Sequence, residues 1–283
     1  MPLRIDAGAV RLGTSAFTAK GWAGTFYPAG MPTQEYLSHY ASQFNTVEID
    51  STYYGVPSLS AVQNWYARTP AHFVFALKTP QQITHERVLE CGDEVWNEFL
   101  KVTEALQEKR GVILLQLPYF NRNAFADGEA FLARLAPFLA TLPAEPRFAL
   151  EIRNKSWLTP ALYELLRKHR VALALIDHPW MPRPREWFRT ADAITTDFTY
   201  IRWLGDRKDI EARTTIWKET IVDRREELQE WVKACTVFKK RGVMVLGYAN
   251  NHYAGHGPGT IRLFHELYEK QLNLPEVPEV AVS

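Results

Sequence analysis

With 283 residues, 46% of them hydrophobic and 23% charged, the chain reads as an ordinary globular protein large enough for a sizeable core. A formal net charge of +1 excludes a protein that holds nucleic acid by its overall field, although a local basic pocket stays open. Cys91 and Cys235 are the only cysteines and neither sits in a CxxC pair, so a disulfide framework or structural zinc is not expected. The first residues lack the apolar core of a signal peptide, and no run approaches the roughly 18 apolar residues of a membrane span. The expectation is a cytoplasmic protein with no membrane partner.

In chain order, residues 10–15 (VRLGTS) read as a short strand followed by a long aromatic loop, and residues 33–44 as a helix. The second strand, 46–52, alternates Val47 and Ile49 with Glu48 and Asp50. The third, 73–79, sets Phe73, Phe75 and Leu77 opposite Val74, Ala76 and Lys78. Residues 94–109 form an amphipathic helical pattern with Gly111 as its C-terminal stop. The fourth strand, 112–118, places Gln116 opposite Leu115 and Leu117, and a helix over about 127–142 leads to the fifth. That fifth stretch, 148–157, organises the reading of the whole chain. Phe148, Leu150 and Ile152 share one face, while Ala149, Glu151 and Arg153 share the other. A carboxylate and a guanidinium at the end of an apolar strand are expensive to desolvate unless they meet partners or a ligand.

A helix over 160–169 precedes the sixth strand, 171–177, which ends at Asp177. The proline-rich segment 177–187 reads as an ordered, Trp-bearing loop. The seventh strand, 199–204, puts Tyr200 and Arg202 on one face. In the helix over 223–240, Leu228, Trp231, Val232 and Cys235 recur at helical spacing. The eighth strand, 243–249, leads to a glycine-rich turn and a last helix ending near Lys270, and the tail from Leu274 is expected to fray. Eight apolar strands separated by helical patterns predict an α/β fold: a single-domain, TIM-barrel-like (β/α)8 over 1–283, its ordered core about 10–272, with long irregular loops at the C-terminal face.

In such barrels the chemistry sits at the C-terminal ends of the strands. We assign the polar face of each strand to the interior, because the bulky apolar face packs under the helices. This gathers Glu48, Asp50, Lys78, Gln116, Glu151, Arg153, Asp177, Tyr200, Arg202 and Asn250 or Asn251 at one mouth. Ion pairs such as Glu151 with Arg153, or Glu48 with Lys78, explain any single member structurally. A dry polar network of this size, however, costs stability unless every group is satisfied. Lys78, Arg153 and Arg202 point to a phosphate or carboxylate on the ligand. The turn Gly255-His256-Gly257-Pro258-Gly259 reads either as a phosphate cradle at the last helix or as a flexible turn before an ordinary helix N-terminus. Crowded carboxylates raise one another's pKa and suit acid–base work. Trp22, Tyr53, Tyr54, Trp157 and Trp180 each follow a strand end; each alone fits loop packing, while together they could form an aromatic collar around a sugar or base.

At these same positions the chain resembles the YecE-like proteins, domain-of-unknown-function family seventy-two. The resemblance runs through Leu12-Gly13-Thr14-Ser15, Lys20-Gly21-Trp22 and the segment from Phe44 through Val47-Glu48-Ile49-Asp50 to Tyr54. It continues in FALKTP around Lys78, Gln116-Leu117-Pro118, Glu151-Ile152-Arg153, Ser156-Trp157, Tyr200-Ile201-Arg202 and Asn250-Asn251-His252. It implies a TIM-barrel-like fold and no established activity. The chain departs from the family pattern in three places. Ala16-Phe17-Thr18-Ala19 follows Gly13-Thr14-Ser15, Leu204-Gly205 stands where the family tends to have His before Gly, and Asp50 replaces a usual Asn.

The expected function is a hydrolase, lyase or isomerase using acid–base chemistry on an anionic, phosphorylated or sugar-containing substrate, with no cofactor. Glu151 is the first candidate for the catalytic carboxylate, with Glu48 or Asp177 as its partner. Lys78, Arg153 and Arg202 would hold the anion, and Gln116, Tyr200, Asn250, Asn251, Trp22, Tyr54 and Trp157 would complete the site. One alternative is a metal-dependent phosphoesterase or nuclease, with a divalent ion on Glu48, Asp50, Glu151, Asp177 and His252, or with His85 or His178 among the ligands. The other is a non-catalytic ligand-binding or regulatory protein. A small anionic ligand is the expected partner; the near-neutral charge disfavours nucleic acid.

Overall fold

Eight short strands alternate with helices, as the periodicity predicts. The computed structural model describes residues 8–92, 94–187 and 192–273, so the tail from Leu274 lies outside the described residues. The strands are β1 (Val10–Thr14), β2 (Thr46–Ile49), β3 (Val74–Lys78), β4 (Arg110–Gln116), β5 (Arg147–Glu151), β6 (Val171–Asp177), β7 (Phe198–Trp203) and β8 (Met244–Ala249). All pairings are parallel, and the order β1-β8-β7-β6-β5-β4-β3-β2 curls into a barrel that is nearly closed. The helices are α1 (Tyr36–Gln43), α2 (Leu59–Ala67), α3 (Glu94–Thr103), α4 (Gly128–Ala140), α5 (Pro160–Lys168), α6 (Arg207–Arg213), α7 (Arg225–Lys240), α8 (Asn251–Ala254) and α9 (Gly257–Leu272). None in the described residues is long and apolar enough to cross a membrane.

Local chemistry sets the boundaries. Ser58, Asp127 and Thr159 cap α2, α4 and α5 by accepting from the backbone N–H groups of Ala61, Ala130 and Leu162. The helices α2 and α6 were not anticipated from the sequence. The pattern over 94–109 is not one helix: α3 gives way to a 3-10 turn, Glu104–Lys109, interrupted at Gln107 with φ 49°. Gly111 is part of β4 rather than a helix stop, and a Cβ there would lie 2.7 Å from the Phe75 carbonyl oxygen.

The strands separate two apolar layers by alternation. Val74, Ala76, Leu114, Ala149, Ala174, Leu246 and Tyr248 fill the barrel interior. Val47, Phe75, Leu77, Ile113, Leu115, Leu150, Leu173 and Leu175 face the surrounding helices. Inside, Ala76, Ala149 and Ala174 leave room for the larger Leu114, Leu246 and Tyr248 in the narrow bore of an eight-stranded barrel.

Between β1 and β2 the ladder is missing although the strands lie side by side. Side chains satisfy the backbone there instead. The Tyr40 hydroxyl of α1 accepts from Thr14 N at 2.7 Å and donates to the Thr46 carbonyl oxygen at 3.2 Å, and Asn45 Oδ1 accepts from Leu12 N at 3.3 Å. Gly13 allows the approach, since a Cβ would meet the Thr46 carbonyl oxygen at 2.0 Å.

Candidate functional site

At the C-terminal end of the barrel, Glu48 (β2), Lys78 (β3), Gln116 (β4), Glu151 (β5) and Arg202 (β7) project from the strand faces assigned to the interior. Tyr200 lies two residues before Arg202 on the same face. Arg202 sits between the two buried glutamates. Its Nη1 donates to Glu151 Oε2 at 2.6 Å and its Nη2 to Glu48 Oε1 at 2.7 Å. Tyr200 donates its hydroxyl to Glu48 Oε2 at 2.6 Å, and Arg153 Nε donates to Glu151 Oε1 at 2.6 Å. Every oxygen of these two carboxylates, both 0% exposed, therefore accepts a charge-assisted or phenolic hydrogen bond.

The electrostatics follow from those bonds. Burial alone would raise the Glu151 pKa, but Arg153, Arg202 and Lys78 hold it down to about 2. Burial raises the Tyr200 pKa, and the Glu48 charge adds to the effect, so its phenol stays protonated and donates. Glu151 is thus held as a carboxylate with both oxygens in use. It is poorly suited to the proton-transfer role expected of it, because a general base needs an accessible oxygen and a pKa near the working pH.

Above this floor lies a cavity of about 510 Å³, lined by Asp50, Tyr53, Tyr54, Lys78, Gln116, Arg153, His178, Arg202, Leu204, Gly205, Arg207, Asn250 and His252. Two of its ionisable groups are uncommitted. Among the described residues, neither Lys78 Nζ nor the Asp50 carboxylate makes a hydrogen bond or ion pair with another side chain; Lys78 Nζ lies 4.0 Å above the Tyr53 ring. Burial, and then the Glu48 charge, raise the Asp50 pKa to about 6 against the pull of Arg202 and Lys78. Burial, and then Arg202, lower the Lys78 pKa to about 8 despite Glu151, Glu48 and Asp50. Beside them His85 is lowered to about 4 by burial, Lys78 and Arg153, and is neutral at physiological pH.

Other expected residues lie elsewhere or are already bonded. Asp177 leaves the mouth. It is one residue out of phase with the inward-facing Ala172 and Ala174, so it points to the helix layer. There its Oδ2 accepts from Trp231 Nε1 at 2.8 Å and from the Tyr253 hydroxyl at 2.9 Å, and Arg183 reaches its Oδ1 at 3.4 Å. Asn251 accepts from Gly257 N at 2.8 Å and from Trp22 Nε1 at 3.3 Å, so it caps α9 instead of facing a ligand. In the glycine-rich turn the first N–H of α9 is thus bonded within the chain, and Gly257 and Pro258 are buried. Trp22 is buried against Phe26, Tyr27 and His256. Trp157 is buried against Phe131 and Phe120, beside a separate 710 Å³ cavity. Of the expected collar, Tyr53 and Tyr54 line the mouth cavity, and Trp180 an adjoining 220 Å³ recess that shares Gln116, Arg153 and His178.

Asn250 does line the cavity. Its Nδ2 donates to Ser15 Oγ at 3.0 Å, and its Oδ1 lies 2.6 Å from His252 Nδ1, while His252 Nε2 lies 3.0 Å from Glu211 Oε1. The set Glu48, Asp50, Glu151, Asp177 and His252 is not gathered as metal ligands. Among the described residues, no group of three or more His, Cys, Asp or Glu side chains is placed to hold a metal ion. Two contributors were not found from the sequence. Arg207 opens α6 behind the Asp206 cap, a Leu-Gly-Asp boundary that was legible as a helix start. Tyr248, in phase with Met244 and Leu246, bonds Thr46 Oγ1 at 2.8 Å beneath the floor.

Residues 11–281 match the family described as Protein of unknown function DUF72. UPF0759 protein YecE of Escherichia coli (strain K12) is 35% identical over 118 residues, and the match spans 42% of this chain and 41% of that protein. The crystal structure of a DUF72 family protein from Thermotoga maritima has a TM-score of 0.70 at 26% identity, covering 94% of this chain and 100% of that one. A crystal structure of D-psicose 3-epimerase, with a TM-score of 0.52 at 11% identity over 93% of this chain and 96% of its own, shares the fold alone. With its barrel matched in a solved member and its sequence matched from β1 to past α9, the chain belongs to the DUF72 family.

Proposed function

We propose that the protein is an enzyme that works by acid–base chemistry on a small anionic substrate at the barrel mouth. Asp50 and Lys78 move the protons, while Arg153, Arg202 and Arg207 face the anion. Glu48 and Glu151 act as supports that hold Arg202 in place. The observation that carries this reading is the uncommitted pair. Asp50 and Lys78 line one cavity without side-chain hydrogen-bond or ion-pair partners, and burial moves both pKa values toward neutrality. The anion preference is supported by unused guanidinium donors. Among the described residues, Arg153 commits only Nε, to Glu151, and leaves its Nη donors unused. In net charge Glu48 and Glu151 balance Arg153 and Arg202, and Arg207 pairs with Glu211 at 2.8 Å, which leaves Asp50 as the carboxylate of the cavity lining to offset Lys78. An anion binding beside Lys78 favours the protonated form of Asp50.

The test is a screen of phosphorylated and carboxylated sugars and acids, read first as a rise in Tm and then as product by mass spectrometry. For any substrate found, Asp50→Asn should lower kcat by roughly 10²–10⁴-fold, the range for loss of a general acid or base, while binding is kept. Turnover by Asp50→Asn at the wild-type rate would remove Asp50 from the mechanism.

A further inference from the structure

We propose that Lys78 is a nucleophile that condenses with a carbonyl group, so that the substrate class is an aldehyde or ketone carrying a phosphate or carboxylate. This rests on the acid–base reading of the mouth and gives Lys78 a covalent role within it.

Three observations point to an amine that is free to react. The first is connectivity. A lysine serving only to knit the barrel together would pair with Glu48 or Glu151, yet among the described residues the donors to those oxygens are Arg202, Arg153 and Tyr200, not Lys78. Lys78 is left with the face of Tyr53. The second is redundancy. Arg153, Arg202 and Arg207 already line the cavity, and a guanidinium cannot lose its charge in a protein. A lysine beside three arginines adds what they lack, a nitrogen that can become neutral. Burial and the Arg202 charge favour that form, bringing the pKa to about 8. The third is size. A cavity of about 510 Å³ lies in the range for small-molecule sites, and Lys78 belongs to the same lining as the arginines.

The step balances with the groups present. The Nζ lone pair attacks the carbonyl carbon, a C–N bond forms, and the carbonyl π pair moves to oxygen, which takes up a proton from protonated Asp50. The nitrogen gives up a proton to Asp50. Asp50 returns it to the hydroxyl of the carbinolamine, water leaves with the C–O bonding pair, and the nitrogen lone pair closes the iminium double bond. No oxidant or reductant takes part, and one water is released. The anionic group sits meanwhile on the free Nη donors of Arg153.

Two probes test this directly, pyridoxal 5′-phosphate for the phosphate class and glyoxylate for the carboxylate class. Each is incubated with the full chain at pH 8, reduced with borohydride and mapped by peptide mass spectrometry. The expected result is label on Lys78 at least tenfold faster than on the exposed lysines Lys20, Lys208 and Lys218, slowed by excess sulfate. Lys78→Arg, shown to be folded by its unchanged circular dichroism, should lose that label and keep the slow surface labelling. The probe that labels Lys78 faster identifies the anionic group. If neither labels Lys78 above the surface lysines while sulfate still raises the Tm, the covalent role is overturned and the anion site stands. If sulfate gives no rise in Tm and neither probe labels Lys78, the reading of the mouth fails with it.

Discussion

The floor of the mouth and the cavity above it use the same residue types at neighbouring strand ends and treat them in opposite ways. In the floor, Glu48, Glu151 and Arg202 are almost wholly buried, and every carboxylate oxygen accepts a hydrogen bond. Above it, Asp50 and Lys78 are just as ionisable but, among the described residues, form no hydrogen bond or ion pair with another side chain, and Lys78 Nζ lies over the Tyr53 ring. Full bonding locks a charge; partial burial without bonding leaves it adjustable near neutral pH. A carboxylate at a barrel mouth is therefore assigned a role by its remaining lone pairs, not by its position alone.

The largest effect should come from breaking the floor. Glu151→Ala or Arg202→Met leaves a buried charge uncompensated and should cost about 3–5 kcal/mol in denaturant unfolding. A loss below about 1 kcal/mol would mean that the floor is no more committed than the groups above it. Glu151→Gln, which keeps the shape but removes the charge that Arg153 and Arg202 meet, should lower stability in the same way.

Next comes Asp50→Asn, which should stabilise the protein. The Asp50 pKa is raised from 3.8 to about 6 in the folded state, so its contribution is fully present below pH 3.8 and is lost as pH rises through 6. Near pH 8 the variant should exceed the wild type by on the order of 2 kcal/mol, with the difference closing toward pH 4. Parallel stability curves at the two pH values would show that Asp50 is not held in the strained state described. A gain in stability with a loss of turnover is the trade expected where a site keeps a charge poorly solvated. The smallest effect concerns binding. Sulfate, which carries the same charge throughout, should bind roughly tenfold more tightly at pH 5 than at pH 7, a window in which Asp50 gains its proton while Lys78 stays protonated. Asp50→Asn should flatten that dependence, and calorimetric titration reads both.

Much of this arrangement was legible in the sequence. Period-two alternation placed Glu48, Lys78, Gln116, Glu151, Tyr200 and Arg202 on the inward faces, because each shares its strand with a row of bulky apolar residues in the opposite phase. The same rule failed at Asp177. There the inward face of β6 carries Ala172 and Ala174, and the one polar residue belongs to the outer face. The small size of the inward residues, repeated at Ala76 and Ala149, was the better guide. Trp22 and Trp157 show a second limit: a position just after a strand end is shared by rim residues and by the buried cores of long loops. The division between committed and free carboxylates was out of reach, since Arg202 meets Glu48 and Glu151 across separations of 154 and 51 residues. Such pairings depend on barrel closure and side-chain reach, which no local pattern encodes.

The missing ladder between β1 and β2 makes the barrel, in mechanical terms, a split ring. Seven hydrogen-bonded joints give it stiffness, and the eighth is a clasp made by one phenol and one amide side chain. Deformation of such a ring concentrates at the clasp, where parting the strands breaks side-chain contacts and leaves every ladder whole. Because β2 carries Glu48 and runs directly into Asp50, the girth of the ring and the setting of both carboxylates are governed from the same joint.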